Sequence, residues 1–169
     1  MPLAIRRFPD PLLKSPSRAV GRVGPPVARL IQQMVATMRH HPRCVGLAAP
    51  QVGVGLQVAV VDVTGHPKAA SAHGLLVLIN PVILDREAEC IQREGCLSVP
   101  DLTGNVRRAQ RVRLEALDAE GKRWTSWIEG FEAIAVQHEV DHLAGVLFLD
   151  RVTNPRTDVF RRQQYWGAR

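Results

Sequence analysis

Segments with the composition or alternation of β-strands occupy the middle of this chain, and a helical pattern follows them near its end. In the clearest of them, Val112, Leu114 and Ala116 alternate with charged or polar neighbours, and a period of two is typical of a half-buried strand. Strands are predicted at residues 57–63, 87–97, 105–117 and 122–128, and residues 75–84 are predicted as a pair of strands or as one strand bent around Asn80 and Pro81. Strands followed by a late helix predict an α+β fold rather than a doubly wound parallel sheet.

Two segments have the period of an amphipathic helix. Residues 26–40 repeat apolar side chains every three or four positions, and prolines stand at their start and just past their end. Residues 130–144 form the second pattern, and Gly145 marks its C-terminus. The first 26 residues are rich in proline and predict irregular chain that wraps onto the body or forms a flexible arm.

Composition narrows the class of protein. The 169 residues are 46% hydrophobic and 22% charged, which excludes a mainly disordered chain and predicts a single domain over residues 1–169. Cys44, Cys90 and Cys96 are too few and too far apart for a disulfide framework. No run approaches the roughly 18 apolar residues that a membrane span needs. We therefore expect a cytoplasmic protein without a membrane or DNA partner.

The second helical segment carries the sequence His138-Glu139-Val140-Asp141-His142. Histidines at positions i and i+4 project from one helix face, so His138 and His142 can bind one metal ion. Glu139 is offset around the helix and can act as a general base on water without being a ligand. The alternative is a pair of packed or surface histidines beside a solvated carboxylate.

Two further segments contain residues that could belong to the same site, although their spacing alone does not define their roles. A catalytic metal takes a third protein ligand, and Cys96 could be that ligand or an ordinary buried cysteine. Residues 44–53 are rich in small side chains, which allow close approach of the backbone to a ligand, and Gln51 adds an amide donor. Taken alone, this loop is better explained as a tight connector between a helix and a strand.

Three stretches together resemble the signature motifs of the peptide deformylases in sequence, order and spacing. They are residues 46–51, 94–98 and 137–143, which read GLAAPQ, EGCLS and QHEVDHL. The resemblance extends from residues 6–11 to about Arg151 and thus covers almost the whole chain. It implies an α+β fold of mixed, mostly antiparallel sheets around a central helix that carries the HExxH motif.

The resemblance also implies the roles of individual residues. Cys96, His138 and His142 would hold one divalent metal ion, natively Fe(II), although zinc, nickel or cobalt can occupy such a site. Glu139 would be the general acid and base. Gln51 through its side chain and Leu97 through its backbone N–H would stabilise the oxyanion. Gly46 would bind the substrate through its backbone.

The substrate implied is a nascent peptide that begins with N-formylmethionine, and the products are formate and a free N-terminus. Its methionine side chain needs an apolar pocket near the metal. The candidates beside the motifs are Val45, Phe131, Ile134 and Ala135, which could also be ordinary core. Asp141, Glu94 and Arg108 are candidates for orienting the histidines.

Other functions are compatible with the same residues. A metal-dependent amidase or peptidase could act on another acyl group, and a non-catalytic protein could bind the ribosome. The formal charge of +6 favours anionic partners. The basic tail, about residues 152–169, includes Arg156, Arg161, Arg162 and Arg169 and predicts weak ribosome contact. A bacterial cytosol is the simplest location, with an organelle as the alternative.

One position departs from the family pattern. The first motif usually begins Gly-x-Gly, and Cys44 stands where the first of those glycines is expected. If this position requires a positive φ, Cys44 is strained. The substitution could also be benign, make the site sensitive to oxidation or change substrate access.

Overall fold

The structure, a computed structural model, describes residues 1–163. The helices are α1 (Pro25–His40), α2 (Gly130–Leu143) and the short α3 (Phe148–Arg151), with 3-10 turns at Pro11–Lys14 and Ala49–Val52. The strands are β1 (Gly46–Ala48), β2 (Val58–Val61), β3 (Leu76–Cys96), β4 (Val99–Leu117), β5 (Arg123–Glu129) and β6 (Val159–Arg161). Within this part of the chain, no helix is long and apolar enough to cross a membrane.

The six strands form one sheet in the order β1-β2-β3-β4-β5, and β6 pairs with β4. All of these ladders are antiparallel, and a single parallel bridge joins Arg18 to Leu56. The predicted α+β class and the mostly antiparallel pairing are therefore confirmed, with one continuous sheet in place of several.

Strands β3 and β4 form a long hairpin that sequence patterns divide into shorter pieces. β3 is continuous where at least two strands were predicted, because shifts of register near residues 80–85 keep it paired with β4. Asn80 adopts φ 50° there, and its side-chain amide bonds both backbone groups of Val20. At the far end, the two-residue turn of Leu97 and Ser98 holds Cys96 at the tip of β3.

Both faces of strand β2 are buried, which explains its run of small and β-branched residues. Val58 and Val60 pack in the cluster that α1 covers, whereas Ala59 and Val61 pack in the cluster that includes α2. Alternate side chains of a strand point to opposite faces, so this short strand forms the layer between the two helices. The packing fixes α2, with its two histidines, against the sheet.

The N-terminal segment wraps onto the body, which was the first of its two predicted alternatives. The Arg6 N–H donates to the Gln51 carbonyl (2.7 Å), and the Phe8 N–H donates to the Ser98 carbonyl (2.9 Å). Leu13 is fully buried. The segment thus forms backbone hydrogen bonds with two of the signature motifs, residues 46–51 and 94–98.

Part of the predicted tail also joins the sheet. Strand β6 pairs Val159 with Gly104 and Arg161 with Leu102, so these residues are ordered by backbone hydrogen bonds. The predicted tail residue Arg169 lies outside the described residues.

Candidate active site

The tip of β3 and one face of α2 bring a thiol and two imidazoles together. Ligand atoms of Cys96, His138 and His142 all lie within 4.8 Å of one another, and Cys96 Sγ is 3.3 Å from His142 Nε2. One sulfur and two ring nitrogens, with room for a fourth ligand, are a donor set that divalent transition metals accept in catalytic sites. The chemistry of these donors therefore fits the metal that the sequence predicted.

The electrostatics of this cluster favour a thiolate. Cys96 is buried, and burial alone would raise its pKa, but His142 and His138 lower the pKa of Cys96 well below its usual value. The thiolate is the form of cysteine that binds metal. Binding of a metal ion would displace the histidine protons that stabilise this thiolate.

A chain of buried ion pairs orients one of the histidines. Glu94 Oε1 lies 2.8 Å from His138 Nδ1, so the opposite ring nitrogen faces the cluster. Arg108 Nε and Nη2 donate to the two carboxylate oxygens of Glu94 at 2.7 and 2.9 Å, and Arg108 Nη1 donates to Asp141 Oδ2 at 2.7 Å. Burial opposes ionisation of Glu94, yet Arg108 and His138 lower the pKa of Glu94 to about 2.

The three candidates for orienting the histidines thus act in series. Of these three, Glu94 contacts the His138 side chain, Arg108 contacts Glu94, and Asp141 contacts Arg108. Asp141 is in turn paired with Arg151 at 2.8 Å. His142 differs, because its buried Nδ1 has no hydrogen-bond partner within residues 1–163.

Glu139 lies beside the cluster in a space that Gly46 leaves open. A Cβ added to Gly46 would lie 2.5 Å from Glu139 Oε1 and 2.8 Å from its Cγ, so any side chain at position 46 would displace the carboxylate. Burial is the main cause that raises the pKa of Glu139 to about 7, and Oε2 has no protein partner in the described chain. A carboxyl group of this pKa can both accept and donate a proton near neutrality.

The amide of Gln51 is held with its donor towards the cluster. Its Oε1 accepts the Ala48 N–H at 2.9 Å, which directs Nε2 towards Cys96 Sγ at 3.4 Å and Ser98 Oγ at 3.2 Å. Leu97, whose backbone N–H is the second predicted oxyanion donor, is in the adjacent turn. Sequence reasoning missed Ser98 as a partner of Gln51, although it lies inside a motif, because only the fold shows that contact.

A cavity of about 370 Å³ opens onto this cluster. It is lined by ten of the eleven residues with predicted metal, catalytic or substrate roles, namely Val45, Gly46, Gln51, Cys96, Leu97, Phe131, Ile134, Ala135, His138 and Glu139. His142 is buried behind this surface. His66 stacks on Phe131, with ring centroids 4.4 Å apart, so the loop after β2 also contributes to the wall.

The condition under which Cys44 would be strained, a positive φ at this position, is not met. The residue with positive φ is its neighbour Arg43, at 64°. Cys44 lines the cavity, and its Sγ donates to the Gly46 carbonyl at 3.2 Å. Burial raises the pKa of Cys44 to about 12, which disfavours the thiolate that oxidants attack.

Comparisons with known proteins identify one family. The family model described as polypeptide deformylase matches residues 2–158. A peptide deformylase from Halothermothrix orenii is 47% identical over 150 residues, which are 89% of this chain and 93% of that protein. One from Alkalilimnicola ehrlichii is 43% identical over 161 residues, which are 95% of this chain and 88% of that protein.

Solved structures show the same fold. Peptide deformylase from Thermotoga maritima matches with a TM-score of 0.83 and 34% identity, over 91% of this chain and 99% of that one. The class I type b peptide deformylase from Acinetobacter baumannii, solved with Met-Ala-Ser bound, matches with a TM-score of 0.83 and 35% identity, over 90% and 99%. The chain therefore belongs to the peptide deformylase family, enzymes that remove N-formyl groups by metal-dependent hydrolysis.

Proposed function

We propose that this chain deformylates peptides that begin with N-formylmethionine, with Cys96, His138 and His142 as metal ligands and Glu139 as the general acid and base. The observation that carries the proposal is the convergence of a thiol, two imidazoles and a buried carboxylate at one cavity. We propose Fe(II) as the native metal. Zinc, nickel and cobalt suit the same nitrogen and sulfur ligands, so the ligand types support a divalent metal without selecting one.

The bound ion would supply Lewis-acid polarisation and lower the pKa of water in the cavity. Glu139 accepts the proton of the attacking water and later delivers it to the leaving amine. Its position beside Gly46 and its raised pKa support both transfers. Glu94 and Arg108 keep His138 oriented during this sequence through their buried contacts.

The negative charge that develops on the formyl oxygen needs hydrogen-bond donors. Gln51 Nε2 and the Leu97 N–H are the donors we propose, and the bond from Ala48 to Gln51 Oε1 supports the orientation of that amide. Donors that are fixed before the reaction need no reorganisation as the charge forms.

Replacement of Gln51 by methionine is expected to lower kcat about 100- to 1000-fold. Methionine has nearly the same length but lacks the N–H donor, so the oxyanion loses one hydrogen bond while the metal site keeps its ligands. Steady-state kinetics and metal analysis of Gln51→Met would check this. Full metal content with unchanged kcat would remove Gln51 from the mechanism.

Phe131 is proposed as a wall of the methionine pocket, together with Val45, Ile134 and Ala135. Its ring lines the cavity and is packed against His66. Phe131→Ala should widen the pocket and raise the kcat/KM for formyl-Phe relative to formyl-Met peptides about tenfold. The exposed Phe8 offers a matched Phe→Ala control, and an unchanged ratio in Phe131→Ala would contradict the assignment.

The direct test of the proposed function is release of formate from formyl-Met-Ala-Ser by protein purified anaerobically with Fe(II). Acetyl-Met-Ala-Ser serves as the control for other acyl groups. Formate from the formyl peptide alone is the expected result. Hydrolysis of both peptides would instead favour a general amidase, and release from neither would favour a binding protein.

Ribosome contact and a cytoplasmic location remain predictions. Ribosome contact rests on the basic tail, of which Arg156 and Arg161 are exposed in the structure. Such contact should weaken steeply with salt, as expected for binding to phosphates. Loss of cosedimentation with ribosomes in the double variant Arg156→Gln, Arg161→Gln would support it, and unchanged cosedimentation would contradict it.

A further inference from the structure

A buried carboxylate on α2 binds the loop that joins β2 to β3. Glu132 is in the first turn of α2, and only 2% of its surface is exposed. The backbone N–H of His73 donates to Glu132 Oε2 at 2.8 Å, and His73 Nδ1 lies 2.5 Å from Glu132 Oε1. Because an ionised carboxylate only accepts hydrogen bonds, Nδ1 carries the proton in this contact. Both oxygens of Glu132 are therefore bonded by one residue of the loop.

The connecting segment, residues 62–75, has few other anchors and is called the 62–75 loop below. Most of its residues are exposed, although Val63 is buried and Ala69 packs on the core cluster that includes α2. Within residues 1–163, the two contacts of His73 are the only hydrogen bonds between this loop and α2. A segment with so few buried contacts has little stability of its own. The position of the loop therefore depends strongly on His73.

The 62–75 loop also supplies part of the cavity wall, through His66 and Lys68. The His66 ring stacks on Phe131, with ring centroids 4.4 Å apart and planes inclined by 20°. Lys68 Nζ lies 6.0 Å from the centroid of the same ring. Phe131, the proposed wall of the methionine pocket, immediately precedes Glu132 in the chain. The loop thus meets α2 at two adjacent residues, through a ring contact and a buried polar contact.

The hydrogen bonding of His66 suits an apolar pocket. The backbone N–H of Lys68 donates to His66 Nδ1 at 3.2 Å, which leaves the ring proton on Nε2. Burial and the charge of Lys68 lower the pKa of His66, so both observations indicate a neutral ring. A neutral imidazole can stack on an aromatic ring without burial of a charge. His66 can therefore form part of a wall for an apolar side chain.

We propose that His73 is a positioning residue for the methionine pocket. Its contact with Glu132 holds the 62–75 loop on α2. The loop in turn keeps the His66 ring over Phe131, where that ring completes the pocket wall. His73 is not among the residues that line the cavity, so it acts on the substrate through the loop. This inference rests on the proposed deformylase function.

Replacement of His73 by leucine tests the contact, because it removes the side-chain donor and keeps the backbone N–H. For formyl-Met-Ala-Ser, KM should rise about fivefold while kcat changes less than about twofold, since the metal site is unaffected. The kcat/KM ratio of formyl-Met-Ala-Ser to formyl-Ala-Ala-Ser should fall about fivefold, because a looser pocket discriminates less between side chains. A role of His73 in folding alone would lower the Tm and leave KM and this ratio unchanged.

His73→Asn is the conservative variant. The asparagine amide nitrogen can occupy nearly the position of Nδ1 and donate to Glu132. This variant should therefore restore most of the wild-type KM and most of the wild-type substrate ratio. The His73 side chain is 48% exposed, so neither variant changes the packing of the core.

Trypsin provides a measurement that needs no substrate. Lys68 is the only lysine or arginine in the 62–75 loop, and it is exposed. Exposed, mobile loops are preferred sites of proteolysis, so cleavage after Lys68 should be about tenfold faster in His73→Leu than in the wild-type protein. His73→Asn should be cleaved at nearly the wild-type rate. Mass spectrometry of the first fragments would distinguish this single cut from the many cuts of an unfolded chain.

Two further variants complete the design. His40 is exposed at the end of α1, so His40→Leu is the matched control and should keep the wild-type KM, substrate ratio and cleavage rate. Glu132→Leu removes the other half of the contact and should raise KM by about the same factor as His73→Leu. The double variant should have a KM no higher than the worse single variant, because both changes remove one interaction.

Three results would overturn the inference alone. Unchanged cleavage after Lys68 in His73→Leu would mean that His73 does not hold the loop. Unchanged KM and substrate ratio in that variant would mean that the loop does not set the pocket. Additive effects in the double variant would mean that His73 and Glu132 act separately. Failure of the wild-type protein to release formate would instead overturn the proposed function, and the inference with it.

Discussion

Replacement of Glu139 by glutamine is expected to lower kcat about 10³- to 10⁴-fold while the bound metal remains. Glutamine fits the space beside Gly46, where a Cβ would lie 2.5 Å from Glu139 Oε1. It cannot accept the proton of water or return one to the leaving amine. The loss should therefore fall on kcat, with little change in KM. Formate release and metal analysis on the same preparation would measure both quantities.

Glu129→Gln offers a matched control, because Glu129 is exposed and immediately precedes α2. This variant should keep wild-type kinetics. If Glu139→Gln retained more than a tenth of the wild-type kcat with full metal content, another group would have to transfer the proton. If it lost its metal as well, Glu139 would act as a ligand, contrary to the roles proposed above.

Replacement of Cys96 by alanine is expected to lower metal affinity by more than about 100-fold and activity in parallel. Loss of a residue that only orients a ligand typically costs 10- to 100-fold in affinity, and Cys96 is proposed to bind the metal directly. The neighbouring histidines hold its pKa well below the usual value, so the wild-type site offers a thiolate that alanine removes. Elemental analysis after dialysis against a weak chelator would measure the affinity loss.

Cys90→Ala is the matched control for this variant. Cys90 is on the same strand, β3, but is not part of the metal-ligand group. It should retain full metal and activity. A Cys96→Ala protein with a full complement of metal would exclude the thiol as a ligand and return Cys96 to its alternative as an ordinary buried cysteine.

The local patterns of the sequence were sufficient to predict the two long helices and most strands of the sheet. The apolar period of residues 26–40 predicted α1 to within one residue, and that of residues 130–144 predicted α2 equally well. The hairpin of β3 and β4 was less predictable. Its exposed central residues have no clear alternation, and the pairing that makes β3 continuous is with residues 20 or more positions away.

For the candidate site, the sequence alone predicted the type of chemistry. The spacing of His138 and His142 places both on one face of a helix, and the three motifs carry a thiol, a carboxylate and an amide of the types that metal-dependent hydrolysis uses. These inferences need only helix geometry and residue type, which are local properties. The resemblance to deformylases added the partnership of Cys96 with the two histidines, and the structure places the three together.

Only the tertiary structure decided which other residues meet these groups. The absence of a side chain at Gly46 makes room for Glu139, Ser98 contacts the amide of Gln51, and Arg162 enters the cavity from a segment that sequence patterns assigned to a basic tail. These contacts join residues 47 to 93 positions apart. Such contacts depend on strand register and helix packing, and neither is encoded within a local window of the sequence.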